Sequence, residues 1–154
     1  QKGSSGSPGE LSGLIHYEAE KIIGSIEKNC EQGIYGRLSE LPEELGLRKM
    51  EVAYKQELEI GPASILCCVD GTVREFDAEI TRIDMNHEDT NKSFVIHVTD
   101  QELIDKTGGI VQGMSGSPII QDGKLIGAVT HVFVNDPAKG YAILMETMLY
   151  EMEK

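Results

Sequence analysis

Apolar and polar positions alternate along the middle of the chain, which predicts β-strands more readily than helices. Residues 63–69 form an almost continuous apolar run, and residues 73–83 then alternate between apolar and charged side chains. Asp70 and Gly71 lie between these runs and form a dipeptide favoured in two-residue hairpin turns. The pattern therefore predicts a β-hairpin whose return strand is half buried.

A second hairpin follows from the same reasoning. Residues 118–120 are an apolar strand, Asp122 and Gly123 form the turn, and residues 125–134 form the return strand. Between the two hairpins, residues 93–98 are predicted to form another strand with its apolar side chains on one face. These strands indicate a mostly β protein.

The flanking segments carry weaker signals. Residues 1–10, rich in Gly and Ser, are predicted to be a flexible or loop segment, and residues 86–92 a polar loop. Short apolar pieces separated by glycines indicate small strands with turns within residues 14–38. Helical character is confined to residues 144–153, and residues 11–154 are interpreted as a single domain.

Composition and charge narrow the possible functions. The 154-residue chain contains 17 Gly and no Trp, which favours many short strands joined by tight turns. Its formal net charge of -12 would repel nucleic acids and anionic lipid surfaces, so we expect no nucleic-acid partner. No apolar run approaches the roughly 18 residues that span a bilayer, so we expect no membrane span in this segment.

Cysteines and histidines give little support for a disulfide framework or a metal centre. Three cysteines cannot all pair within one chain, and Cys67 and Cys68 are neighbours on a predicted strand, where successive side chains face opposite ways. A structural protein linked between chains through Cys30, Cys67 or Cys68 is one alternative. The four histidines are scattered without metal-ligand spacing, so we expect no metal and no cofactor.

The turn Gly-Met-Ser-Gly-Ser-Pro at residues 113–118 carries the strongest chemical signal. Acyl transfer needs a nucleophile beside inward-pointing backbone N–H groups that stabilise the oxyanion, and glycines allow the backbone to bend that sharply. Ser115 is therefore the candidate nucleophile, and the N–H groups of Gly113 and Ser115 are the candidate oxyanion hole. A Gly/Ser-rich turn without chemistry is the alternative.

The order of elements after Ser115 resembles that of chymotrypsin-type proteases. In these enzymes a Gly-x-Ser-Gly-Gly/Ser-Pro turn is followed by a strand, a turn and a second strand that pairs with the substrate. Residues 127–132, Gly-Ala-Val-Thr-His-Val, match that second strand. The resemblance implies a chymotrypsin-like β-barrel, made of the C-terminal barrel and part of the preceding one. It also implies that Thr130, His131 and Val132 bind a peptide or protein substrate by strand addition.

A narrower resemblance rests on residues 107–121 and 127–137, which are similar to the signature of the stage IV sporulation protein B (SpoIVB) peptidases. Weaker likeness extends upstream through residues 8–11, 61–63 and 98–100. This resemblance implies a secreted serine endopeptidase with an upstream PDZ domain. It further implies autoprocessing and cleavage of a membrane-bound regulator between the two membranes around a forespore, which triggers a late sigma-factor pathway.

The general base is the missing component. A serine hydroxyl needs a neighbouring base, usually histidine. In the resembled family that histidine lies upstream of the Pro-Gly-Glu-Leu region, so we expect a peptidase domain truncated at its N-terminus and inactive alone. Among the histidines present, His131 on the substrate strand is a weaker candidate. His97 is interpreted as packed or at the surface, and His16 and His87 lie in no motif.

Asp100 has two interpretations. The family resemblance implies that it is the acid that orients the catalytic histidine. Locally, Thr99 and Glu102 are spaced as a helix capping box, so Asp100 could instead cap a helical turn. Residues 135–137, Asn-Asp-Pro, indicate a turn. At the level of function, the alternative to a protease is a noncatalytic peptide-binding or signalling module on the same barrel.

Overall fold

Strands dominate the part of the chain that the structure, a computed structural model, describes: residues 12–41, 43, 47–86 and 88–154. The predicted loop at residues 1–10 lies outside these residues. The strands are β1 (Gly24–Cys30), β2 (Gly33–Leu38), β3 (Gly61–Cys68), β4 (Val73–Ile83), β5 (Phe94–Val98), β6 (Pro118–Gln121), β7 (Lys124–Phe133) and β8 (Asp136–Leu144). The α-helices are α1 (Gln101–Thr107) and α2 (Met145–Glu153).

Six of these strands close into an antiparallel barrel in the order β3-β4-β5-β8-β7-β6. The other two, β1 and β2, form a separate two-stranded sheet. An ion pair between Lys28 on β1 and Glu151 on α2 links this sheet to the C-terminal helix. The prediction of a mostly β, chymotrypsin-like barrel with a short C-terminal helix is confirmed.

The alternating pattern of β4 explains how the barrel obtains its core. Phe76, Ala78 and Ile80 are buried, whereas the charged residues between them are exposed. Full burial of a large apolar side chain stabilises the fold by about 1.5–3 kcal/mol. The core is completed by fully buried side chains from the other barrel strands: Ile65, Phe94, Ile96, Val98, Ile119, Ile126, Val129 and Ala142.

The two hairpins predicted from Asp-Gly dipeptides both form, but their turns differ. Asp122 and Gly123 alone separate the paired ends of β6 and β7, with φ values of 52° and 75°. Positive φ at both positions is characteristic of the type I′ turn. Between β3 and β4, four residues (69–72) form the connection, and Gly71 has a φ of 88°. The prediction of a two-residue turn there was wrong.

Two further elements differ from the sequence predictions. Helical character is not confined to the tail, because α1 lies between β5 and the Ser115 turn. The turn after β7 lies at residues 134–135, and Asp136 and Pro137 already belong to β8. Proline is tolerated near the start of a strand because no N–H is required of it there. No helix in the described ranges is long and apolar enough to cross a membrane.

Candidate active site

The turn that carries Ser115 lies between α1 and β6 and is shaped by glycines. Gly113 has a φ of 99° and Gly116 a φ of 90°. Residues with side chains rarely adopt these values, whereas glycine does so without steric cost. The turn leaves Ser115 exposed at the surface of the barrel.

Hydrogen bonds hold this turn against β7. The N–H of Gly116 donates to Val129 O at 2.7 Å, and the N–H of Val129 donates to Ser117 O at 3.0 Å. On the inner side, Met114 is buried, and its Sδ accepts a hydrogen bond from the N–H of Val111 at 3.4 Å. The nucleophile candidate therefore lies on a turn that is anchored both to a strand and to the core.

The backbone N–H groups of Gly113 and Ser115 are available for a ligand. Neither donates a hydrogen bond to any group within the described residues, and both residues are exposed. Backbone N–H groups are strong donors that require a partner, which solvent or a ligand oxygen can supply at an exposed site. This is the arrangement that an oxyanion hole needs, although the role of these two groups stays a prediction.

The Ser115 hydroxyl donates a hydrogen bond to Thr130 O at 3.0 Å. Thr130 is itself anchored, because its Oγ1 donates to Asn91 O at 2.5 Å. Asn91 was not predicted from the sequence, because it lies 39 positions from Thr130 and in no recognisable motif. The segment around Asn91 thus fixes the strand that receives the Ser115 hydroxyl.

The edge of β7 near Ser115 is open. Pairing between β6 and β7 ends at Ala128, and no described strand continues along that side. On the other side β7 still pairs with β8, with an irregularity between Val129 and His131. His131 is exposed and Val132 is half-buried. Residues 130–132 therefore offer a backbone edge to which a peptide could add as a further strand, and their role in substrate binding stays a prediction.

No described histidine is hydrogen-bonded to Ser115 Oγ, which donates instead to the carbonyl of Thr130. The hydrogen bond and ion pair from Lys92 at 3.1 Å are the main cause that lowers the pKa of the Asp89 carboxyl, and His131 contributes the least to that shift. His97 is half-buried in a groove on the barrel surface, and His16 is exposed. His87 lies outside the described residues. The identity of the base stays a prediction.

Asp100 caps α1. Its Oδ1 accepts hydrogen bonds from the N–H groups of Glu102 at 3.0 Å and Leu103 at 3.2 Å, and its Oδ2 accepts from the N–H of Asp77 at 3.1 Å. The interpretation of Asp100 as the cap of a helical turn is therefore confirmed, whereas the capping box spaced on Thr99 and Glu102 was wrong by one position. A carboxylate offers about four lone-pair sites, of which three are used here. The catalytic role of Asp100 stays a prediction.

A cluster of charges joins α1 to the β3–β4 turn. Arg74 forms ion pairs with Asp70 at 2.8 Å and Glu102 at 2.9 Å, and Lys106 pairs with Glu102 at 3.0 Å. The hydrogen bond from Arg74 is the main cause that lowers the pKa of Glu102, and that from Lys106 is the main cause for Asp70. These pairs are partly exposed, so each adds little stability to the contact between α1 and the β3–β4 turn.

A groove of about 870 Å³ opens beside residues 116–118. The ends of β3 and β4 form its other border, with largely apolar side chains that include Leu66 and Val73. It adjoins the Ser115 turn and is a separate surface from the open edge of β7, because residues 130–132 do not line it. A peptide that continues past Ser115 would have this second surface to contact.

The cysteines are all free: Cys67 is buried, Cys68 is exposed and Cys30 is half-buried. Cys67 and Cys68 face opposite sides of β3, as predicted. Burial raises the pKa of the Cys67 thiol to about 11, which makes it a poor candidate for a link between chains. Within the residues that the structure describes, no group of three or more His, Cys, Asp or Glu side chains could hold a metal ion.

The chain matches a known protein family. The family model described as SpoIVB peptidase S55 matches residues 1–149, a range that includes the Ser115 turn, the open edge of β7 and Asp100. No curated protein matches the chain.

Proposed function

Because the chain belongs to the SpoIVB peptidase S55 family, we propose that it is a serine endopeptidase with Ser115 as the nucleophile. The observation that carries the proposal is the geometry of the turn. An exposed hydroxyl lies beside two backbone N–H groups that no described group accepts from. The same turn is anchored to β7, whose open edge can bind an extended peptide.

In this proposal, substrate binding frees the Ser115 hydroxyl from its hydrogen bond to Thr130 O. A peptide that adds along residues 130–132 brings its own N–H groups to the carbonyls of that edge. A substrate N–H at Thr130 O replaces the Ser115 hydroxyl, which occupies that carbonyl in the structure. The freed hydroxyl can then donate its proton to a base. A correctly bound peptide thus prepares the nucleophile.

The chemical steps follow from this arrangement. Ser115 Oγ attacks the scissile carbonyl as its proton passes to the base, for which the family resemblance supplies a histidine upstream of residues 8–11. The N–H groups of Gly113 and Ser115 donate to the oxyanion, and one such donor contributes about 3–4 kcal/mol to transition-state stabilisation. The intermediate collapses to an acyl-enzyme and releases the amine, and water then hydrolyses the ester.

The biological substrates belong to the same proposal and are supported by the family membership alone. We expect the full-length protein, with an upstream PDZ domain, to cleave itself and a membrane-bound regulatory protein during sporulation. The site of action would be the space between the two forespore membranes, after secretion. A backbone-pairing edge suits such substrates, because it binds an extended segment of a larger protein largely through main-chain atoms.

Labelling of the full-length protein with a fluorophosphonate probe tests the assignment of Ser115. The wild type should be labelled, and Ser115→Ala should abolish labelling because the attacking oxygen is gone. Ser117→Ala is the matched control, since Ser117 lies in the same turn and its side chain forms no hydrogen bond with the described residues. Labelling that survives Ser115→Ala would refute the nucleophile assignment.

A noncatalytic peptide-binding module is the second candidate. It is favoured by one observation, that the Ser115 hydroxyl donates to a carbonyl and to no described base. This candidate predicts that the full-length protein binds extended peptides, resists fluorophosphonate labelling and releases no cleavage product. Turnover that depends on Ser115 would exclude it.

A further inference from the structure

A peptide bound along residues 130–132 must leave the edge of β7 soon after its scissile carbonyl. All neighbouring strands of the barrel are antiparallel. We therefore expect the peptide to run antiparallel to β7, so that it enters at Val132 and leaves past Thr130. Beyond that point the edge is occupied, because Pro118 at the start of β6 already pairs with Ala128. The residues after the cleaved bond must therefore pass over residues 115–118.

The groove of about 870 Å³ opens where these residues leave the turn. Gly116, which directly follows Ser115, forms part of its near border. Apart from the two chain neighbours of Gly116, no described atom lies within 4 Å of the position that a Cβ on this glycine would take. One residue of extended chain spans at most about 3.6 Å. The first two residues after the cleaved bond can therefore reach the groove.

The side chains that line the groove are mainly apolar. Ile120 on β6 is only 4% exposed, and Leu66 and Leu125 are half-buried. Val73, at the far border, is 59% exposed. An apolar side chain placed among them would remove this surface from water, which is favourable. The groove is therefore suited to an aliphatic or aromatic side chain.

The three charged residues of the described lining are each engaged in an ion pair. Arg48 pairs with Glu75 at 3.4 Å. Arg74 pairs with Asp70 and Glu102. A charged substrate side chain would have to break such a pair, or lose hydration without gaining a partner. The lining therefore favours a neutral side chain.

We propose that this groove binds the first two residues after the cleaved bond and selects a large aliphatic or aromatic side chain at one of these positions. The inference rests on the proposed endopeptidase function and specifies the leaving side of its substrates. The occupant is the substrate, because the groove continues the path that the β6–β7 pairing leaves to a bound peptide. Leu66 and Val73 are the residues that determine the preference.

Acyl transfer to added amines tests the groove separately from the first chemical step. The full-length protein is given a peptide ester that it hydrolyses in a Ser115-dependent reaction, together with the amide of dileucine, diglycine or diaspartate. The amine attacks the acyl-enzyme carbonyl, the bond to Ser115 Oγ breaks, and that oxygen regains the proton that the amine loses. Attack by water gives the free acid instead. The ratio of transfer product to acid, measured by mass spectrometry, reports how well each amide occupies the groove.

The ratio should be at least about tenfold higher for the dileucine amide than for the other two amides. Val73→Asp should remove most of this advantage, because it places a charge in the groove. Val73→Lys should raise the ratio for the diaspartate amide about threefold, the equivalent of one exposed ion pair.

Val134→Asp and Val134→Lys are the matched controls, since Val134 is 63% exposed and does not line the groove. Both should keep the wild-type ratios. The two products come from one reaction mixture, so partial unfolding of a variant leaves each ratio unchanged. A changed ratio therefore reports the groove and not the stability of the fold.

The outcomes separate this inference from the function on which it rests. Equal ratios for the three amides, including no transfer to any of them, would overturn the groove as a substrate site and leave the endopeptidase proposal standing. A dileucine advantage that both Val73 variants retain would do the same, as expected if another segment or a second copy of the chain covers the groove. The absence of any Ser115-dependent ester hydrolysis by the full-length protein would overturn both.

Discussion

Two groups of backbone N–H donors in this barrel are satisfied in opposite ways. At the start of α1, the N–H groups of Glu102, Leu103 and Asp77 all donate to the carboxylate of Asp100. In the Ser115 turn, the N–H groups of Gly113 and Ser115 donate to no described group. Both places favour negative charge, but only the first has an anion supplied by the chain itself.

The contrast separates a structural role from a functional one. The Asp100 carboxylate satisfies donors that would otherwise weaken the start of α1, and it ties that helix to β4. The donors of the Ser115 turn are exposed, so solvent can satisfy them until a ligand oxygen arrives. In the reaction that we propose, these donors stabilise the oxygen that gains negative charge.

The largest expected effect is a loss of kcat in Gly113→Ala, which tests the role of the N–H donors in the Ser115 turn. A φ of 99° is unfavourable for alanine, so the backbone must shift and move the N–H of residue 113. We expect kcat of the full-length protein to fall about 100-fold or more, the range found when one oxyanion-hole donor is lost. Cleavage of a peptide substrate, measured at saturating concentration, checks this expectation.

Gly123→Ala is the control for Gly113→Ala. Gly123 also has a positive φ, 75°, no neighbouring atom would obstruct its Cβ, and it lies at the other end of β6 from the Ser115 turn. Both substitutions should lower the free energy of unfolding by about 1–2 kcal/mol through backbone strain. Equal kcat values for the two variants would show that the N–H of Gly113 does not assist the reaction.

The next largest expected effect is a loss of stability when Asp100 is replaced. In Asp100→Asn the side-chain oxygen can still cap α1, but the NH₂ group that replaces Oδ2 cannot accept from the N–H of Asp77. The free energy of unfolding, measured by urea denaturation, should fall by about 1–3 kcal/mol. If the cap is the main role of Asp100, kcat/KM per folded molecule should fall by less than about tenfold, far below the roughly 10⁴-fold loss known for a triad acid.

Thr99→Ala is the control for the cap. The Thr99 side chain forms no hydrogen bond within the described residues, so its removal should change the free energy of unfolding by less than about 0.5 kcal/mol. A loss near 10⁴-fold in Asp100→Asn with the fold intact would instead establish Asp100 as the orienting acid.

The sequence predicts those parts of the fold that depend on local pattern. The alternation in β4 and the Asp-Gly dipeptides identify two hairpins of the barrel, β3–β4 and β6–β7. Strand β8 was missed because Asp136, Pro137 and Gly140 disfavour a strand locally. It forms because β5 and β7 pair with it on both sides. Tertiary pairing therefore overrides local propensity in this strand.

The candidate site also contains some features that a local motif predicts and others that only the folded barrel determines. Ser115 and Gly113 belong to one short turn, so a local motif suffices to predict them. The contact between Thr130 and Asn91 joins positions 39 residues apart, and the border that β3 and β4 give to the groove beside residues 116–118 also depends on the folded barrel. Such contacts leave no local signal, which is why the sequence indicates a nucleophile but not the anchoring of its substrate strand.

The smallest expected effect comes from Thr130→Val, which tests that anchoring. Valine keeps the branched shape of threonine but cannot donate to Asn91 O. The edge of β7 should then be held less firmly, and KM should rise about three- to tenfold, the equivalent of one neutral hydrogen bond. The change should appear mainly in KM, because the N–H groups of Gly113 and Ser115 and the Ser115 hydroxyl remain.

Thr130→Ser decides whether the hydroxyl or the shape of residue 130 matters. Serine restores the donor to Asn91 O without the methyl group, so it should recover most of the lost affinity for a peptide that spans the edge. Recovery by serine together with a KM effect in valine would show that the segment around Asn91 positions the substrate strand. A fall in kcat at unchanged KM for Thr130→Val would show instead that residue 130 acts on the turn of Ser115, the donor cluster that has no anion of its own.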